Sequence, residues 1–160
     1  FFSETRAALR VADAAIVCVN AVAGAEVNTE KVWEAASELE LPVVLHLNKM
    51  DRDRADLGRC LESLRKPFGR QVLPVQLPIG AEKDFVGVID LVRRKAYRFD
   101  RDGSGKGKEV PIPAELATEA AEARTRLVEA VAEAADALQP RLVDLIAEVF
   151  VDERLARHAA

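Results

Sequence analysis

Two short, unbroken apolar runs constrain this chain more than anything else in it. Ala14 to Val19 carries the β-branched Ile16, Val17 and Val19, and Val43 to Leu47 reads Val-Val-Leu-His-Leu. Runs of this length and branching suit strands buried on both faces, the kind found in parallel sheets. Between them lies a loop from Asn20 to Val27 that holds Gly24. Asn28 or Thr29 can then cap a helix running to about Leu39, with Val32, Ala35, Ala36 and Leu39 on one face. A helix is also expected over residues 3 to 12, with Ser3 as its N-cap, and another from Ala55 to Leu64, ended by Pro67 and Gly69. Alternating strands and helices in this order form a right-handed parallel α/β unit.

The ligand site of such a sheet lies beyond the carboxyl ends of its strands. Asn48-Lys49-Met50-Asp51 falls directly after the second run. An Asp held there can accept two donors at once. Guanine offers such a pair, N1–H and the N2 amino group, and adenine does not. A site built for specific hydrogen bonds rejects a mismatched analogue by roughly 10⁴–10⁵. Asp51 is therefore the candidate guanine selector. Asn48 would bond the other polar edge of the base and hold neighbouring loops, and the aliphatic stem of Lys49 would cover its flat face. N-K-x-D is a short pattern, however. The competing reading is that Asn48 and Asp51 only cap a turn and the following helix.

The character changes after residue 69. Val72, Val75, Leu77 and Ile79 are set among Pro74, Pro78 and Gly80. Phe85 to Val92 and Lys95 to Phe99 read as two short strands. Asp102-Gly103-Ser104-Gly105-Lys106-Gly107-Lys108 reads as a solvated hairpin turn. A long helix is expected from Pro113 to about Leu138, with Glu122 and Arg126 four apart on it. Pro140 would open a last amphipathic helix with Leu142, Leu145, Ile146, Val149 and Phe150 facing inward. The second half thus reads as an α+β module.

Other residues carry less. His46 is expected to be a core or half-buried histidine, Cys18 a core residue, and Trp33 a side chain packed on the sheet. Arg6 and Arg10 would share a helix face. No spacing of His, Cys or carboxylates suggests a metal site. A net charge of −4 argues against nucleic-acid binding through bulk positive charge. No apolar run approaches the length of a membrane span, so no membrane partner is expected. Two cysteines make no disulfide framework, which points to a reducing cytoplasm.

Several segments together resemble elongation factor G. They are T-R-A-A-L-R-V-A-D-A-A-I-V (Thr5 to Val17), A-V-A-G-A-E-V-N-T-E-K-V-W (Ala21 to Trp33), N-K-M-D-R (Asn48 to Arg52), L-P-V-Q-L-P-I-G (Leu73 to Gly80), F-V-G-V-I-D-L-V (Phe85 to Val92) and K-A-Y (Lys95 to Tyr97). The likeness is collinear over roughly residues 1 to 136. The Gly/Ser loop and P-I-P-A-E-L (Pro111 to Leu116) resemble the divergent elongation-factor-G-like paralogues. Release factor 3 and the tetracycline-resistance ribosomal protection proteins share parts of the pattern.

The resemblance implies a partial P-loop NTPase-type parallel sheet with helices, followed by an α+β inserted subdomain. Residues 1–68 would be the guanine-side half of a GTPase domain, 69–138 the inserted subdomain and 139–160 a divergent C-terminal helix. It implies GTP or GDP bound through Asn48, Lys49 and Asp51, with Mg²⁺ in the complete protein only. It further implies a monomer acting in ribosomal translocation, with the ribosome and its stalk protein as partners.

The sequence also departs from that family. The G-x-x-x-x-G-K-[ST] phosphate loop and the switch residues are absent. The near-miss ending at Lys108 has Asp102 where Gly is needed and Glu109 where Ser or Thr is needed. Phosphate and Mg²⁺ contacts supply the catalytic electrostatics of such enzymes, so this chain alone is not expected to hydrolyse GTP. Because it opens on Phe1, it is expected to be an internal piece. Beyond about Ala137 the resemblance stops. Two other readings stay open: a catalytically inactive truncated paralogue that binds the ribosome or another protein, and an unrelated α/β protein whose Asn48–Asp51 loop is structural.

Overall fold

A computed structural model describes residues 2–100 and 105–135. The described residues group into two units. The first runs through Val72 and includes Ala81–Asp84; the second holds Leu73–Gly80 and the described residues from Phe85 onward.

The first unit contains helix α1 (Phe2–Leu9), strand β1 (Ala15–Asn20), helix α2 (Val27–Glu38), strand β2 (Val43–Asn48) and helix α3 (Leu57–Phe68). β1 and β2 pair in parallel, with Ala15 opposite Val43 and Asn20 opposite Asn48. The α/β expectation is met, including the parallel pairing. Val17 and Val19 pack with Cys60, Leu64 and Phe68 of α3 and with Val72; Val32 and Trp33 of α2 pack against this cluster. A second cluster joins Leu9, Ala15 and Ala35. Both clusters draw on the odd-numbered residues of β1.

Its even-numbered residues differ from expectation. Ile16 is half exposed and Cys18 is exposed, because no described element covers that face. His46 is likewise exposed rather than buried. The strand is apolar on both faces in sequence and buried on one. Trp33 stacks on Phe68, with ring centroids 4.3 Å apart, so its packing runs to α3 as well as to the sheet.

Helix ends also shift. Ser3 lies inside α1, which stops at Leu9 and leaves Arg10 outside it, so Arg6 and Arg10 share no helix face. Arg6 pairs with Glu38 of α2. α2 is capped by Glu26, not by Asn28 or Thr29; the Glu26 N–H donates to Thr29 Oγ1 at 3.4 Å from inside the first turn. Pro67 sits within the last turn of α3, and Gly69, at φ 90°, ends it.

The second unit is a four-stranded antiparallel sheet in the order β3 (Gln76–Ile79), β4 (Gly87–Asp90), β5 (Lys95–Phe99) and β6 (Gly107–Val110), followed by helix α4 (Ala114–Ala135). β3 reads poorly in sequence because Pro78 interrupts a four-residue strand. β5 and β6 form a hairpin, with Phe99 opposite Gly107; residues 101–104 of its turn lie outside the described residues. Asp90, 4% exposed, organises the β4–β5 turn: its Oδ1 accepts from the Val92 and Arg93 N–H groups at 2.9 Å each. From α4, Arg124 donates to the carbonyls of Leu91 and Val92. The helix expected from Pro140 lies outside the described residues. No helix among the described residues is long and apolar enough to cross a membrane.

Candidate functional site

The carboxyl ends of β1 and β2 lie side by side. Asn20 is opposite Asn48, and the Ala21 N–H donates to the Asn48 carbonyl at 2.9 Å, carrying the ladder one step further. Asn20 turns the chain after β1. Its Oδ1 accepts from the Val22 N–H at 3.1 Å, and its carbonyl accepts from the Ala23 and Gly24 N–H groups. Gly24 has φ 75°, and a Cβ there would lie 2.5 Å from Ser63 Oγ. That hydroxyl accepts from the Ala25 N–H at 2.9 Å, which ties this loop to α3.

The loop after β2 is built from two successive turns. The Arg52 N–H donates to the Lys49 carbonyl at 3.2 Å, and the Ala55 N–H to the Arg52 carbonyl at 3.0 Å. Lys49 stands at φ 64°, a left-handed conformation that costs a non-glycine residue roughly 1–2 kcal/mol. Its N–H donates to Asn48 Oδ1 at 2.8 Å, a local bond that favours this bend. Such strain gathers at functional loops when the surroundings hold it in place. Here they do. Ala55 is 3% exposed, and Asp56 caps α3 by accepting from the Arg59 N–H at 2.6 Å. Arg54, at φ 69°, donates its N–H to Glu82 Oε1 at 2.7 Å.

Asn48, Lys49 and Asp51 are all exposed at the carboxyl end of β2. Met50 is half-buried. Asp51 takes the third position of the Lys49–Arg52 turn. Its carboxylate makes no hydrogen bond or ion pair among the described residues, and the capping of α3 belongs to Asp56. The capping alternative thus fits Asn48 in part and Asp51 not at all. Asp56 was legible as an Asp immediately before the first apolar residue of the helix. Glu82 was not, since nothing local marks a contact spanning 28 residues. Among the described residues no cluster of His, Cys, Asp or Glu suits a metal ion.

The profile of the elongation factor Tu GTP binding domain family matches residues 1–151. The chain belongs to that family. The match runs on past Ala137, where the resemblance read from sequence stops. Within the elongation factor Tu GTP-binding family the chain is similar to elongation factor G. That of Mycoplasma pneumoniae is 42% identical over 138 residues, which is 86% of this chain and 20% of the relative. A crystal structure from Thermus thermophilus aligns with a TM-score of 0.75 at 35% identity, covering 92% of this chain and 21% of that one. The chain therefore spans about a fifth of each relative. It is an elongation-factor-G-like sequence of the elongation factor Tu GTP binding domain family.

Proposed function

We propose that Asn48-Lys49-Met50-Asp51 is the guanine-reading loop of a translation GTPase, with GTP and GDP as its ligands. Asp51 accepts N1–H and the N2 amino group. Asn48 turns its amide to the other polar edge, and the Lys49 stem covers the base. The observation that carries this reading is a free carboxylate at the carboxyl end of a parallel strand, in a strained and well-anchored loop that has its structural capping done elsewhere. On this reading residues 1–68 are the guanine-side half of the GTPase domain and residues 69–138 its inserted subdomain. The complete protein acts in ribosomal translocation, contacting the ribosome and its stalk protein. On this reading Mg²⁺ and the phosphates are held by other parts of the complete protein, since this sequence carries no G-x-x-x-x-G-K-[ST] loop.

Replacing Asp51 by Asn in the complete protein turns one acceptor into a donor. The expected outcome is a fall in GDP affinity of up to about 10⁴, with a gain for xanthosine diphosphate, measured by titration of both nucleotides. An unchanged preference for guanine would end the proposal. A second reading, an inactive module that binds the ribosome or another protein, draws on Val128 and Val131, both exposed on α4. It predicts ribosome binding without any measurable affinity for GDP.

A further inference from the structure

The loop that holds Asp51 is anchored at both ends but not by its own sequence in the middle. Upstream, the Asn48 carbonyl is tied to the Ala21 N–H. Downstream, buried Ala55 and the Asp56 cap fix the entry to α3. Between them the two turns share Arg52, the last residue of one and the first of the next. A change in the second turn is therefore passed to the first, where Asp51 sits. The second turn depends on Arg54 keeping φ 69°, which an arginine does not favour.

Glu82 supplies what that turn lacks. Its Oε1 accepts from the Arg54 N–H at 2.7 Å, the length of a charge-assisted bond. Glu82 is itself held at φ 51°, at the head of a short 3₁₀ turn (Glu82–Asp84) closed by the Asp84 N–H on the Ala81 carbonyl at 2.9 Å. Two left-handed, non-glycine residues facing each other through one bond form a specific arrangement, not a chance surface contact. The adjoining Lys83–Asp53 pair is long, at 3.6 Å, and well exposed, so it adds little.

We propose that Glu82 is a positioning residue for the guanine-reading loop: by holding the Arg54 N–H it fixes the Arg52–Ala55 turn and so the direction of the Asp51 carboxylate. This rests on the reading of Asp51 given above. Accepting two donors with one carboxylate demands orientation, and the second donor is the guanine N2 amino group. Inosine lacks that group. The ratio of GDP to inosine diphosphate affinity therefore reports the orientation of Asp51, while a general loss of folding lowers both affinities together.

The experiment measures both affinities in the complete protein for the unaltered chain and for Glu82→Ala, Glu82→Gln and Asp51→Asn. Glu82→Ala is expected to lower the GDP-to-inosine-diphosphate ratio by about 3–10-fold. Glu82→Gln keeps an acceptor oxygen and should restore most of it. If Asp51→Asn collapses the ratio while Glu82→Ala leaves it unchanged, Glu82 has no positioning role and the loop reading stands. Equal losses in the Ala and Gln variants also overturn the role, since the acceptor would then not matter. If Asp51→Asn leaves the ratio unchanged, both ideas fall. Amide exchange gives a check that needs no variant. The Arg54 N–H should be protected in the unaltered protein, and exchange at the open-chain rate would overturn the proposal.

Discussion

The two cysteines show how position along one strand or helix sets reactivity. Cys18 points to the uncovered face of β1, whereas Cys60 is 1% exposed against the sheet. Burial pushes the Cys60 thiol up and outweighs the neighbouring Arg59 guanidinium, which pulls the other way. In the native chain a thiol reagent should label Cys18 quickly and Cys60 only on unfolding, as a labelling time course with and without urea would show. A raised thiol keeps its proton in the fold after the unfolded chain has begun to lose its own. Its contribution to stability is therefore whole below about pH 8.5 and is lost as pH climbs through the folded value. Cys60→Ala should flatten that alkaline decline in the urea midpoint while lowering stability by about 1 kcal/mol throughout. At this scale sequence reading was uneven. The placement of Asn48, Lys49 and Asp51 at the carboxyl end of β2 was legible because they close or follow an apolar run directly. The exposure of Cys18 and His46 was not, because an apolar strand carries no mark of which face will be covered.

Among the elements, α3 carries most of the first core. Leu64 and Cys60 are fully buried, Phe68 nearly so, and Phe68 stacks on Trp33 of α2. Removing that ring leaves a cavity and an unstacked indole. Phe68→Ala should cost roughly 3–5 kcal/mol and shift the Trp33 emission, measured by urea unfolding followed by fluorescence. Element type was largely readable here, since helical spacing and β-branched runs are strong signals. Ends were less so. Pro67 looks like a helix stop, yet its missing N–H and restricted φ are tolerated in the last turn, where Gly69 makes the actual break. In the second unit, β3 was not legible because Pro74 precedes it and Pro78 fills one of its four positions.

For the whole molecule, the first sheet is left with an open side. The Ala15 N–H donates to the Pro42 carbonyl and the Ala21 N–H to that of Asn48, so odd-numbered residues of β1 turn their backbone to β2. Ile16 and Cys18 therefore turn theirs the other way, where no described strand follows. A groove of about 730 Å³ lies along that side, lined by Ile16, Cys18, Val27, Thr29 and Val32. An unpaired edge beside exposed apolar side chains invites association. Ile16→Lys should make this chain less prone to concentration-dependent association in sedimentation, with little change in its unfolding midpoint. The parallel order was legible from periodicity. The return of Ala81–Asp84 to the first unit was not, because it depends on contacts far apart in sequence.

That return has a practical bearing on dissection. Trimming the chain after Val72 would keep the Asn48–Asp51 loop and discard Glu82, the acceptor of the Arg54 N–H. A shortened first unit that retains this contact therefore has to include residues 81–84 as well as those up to Val72.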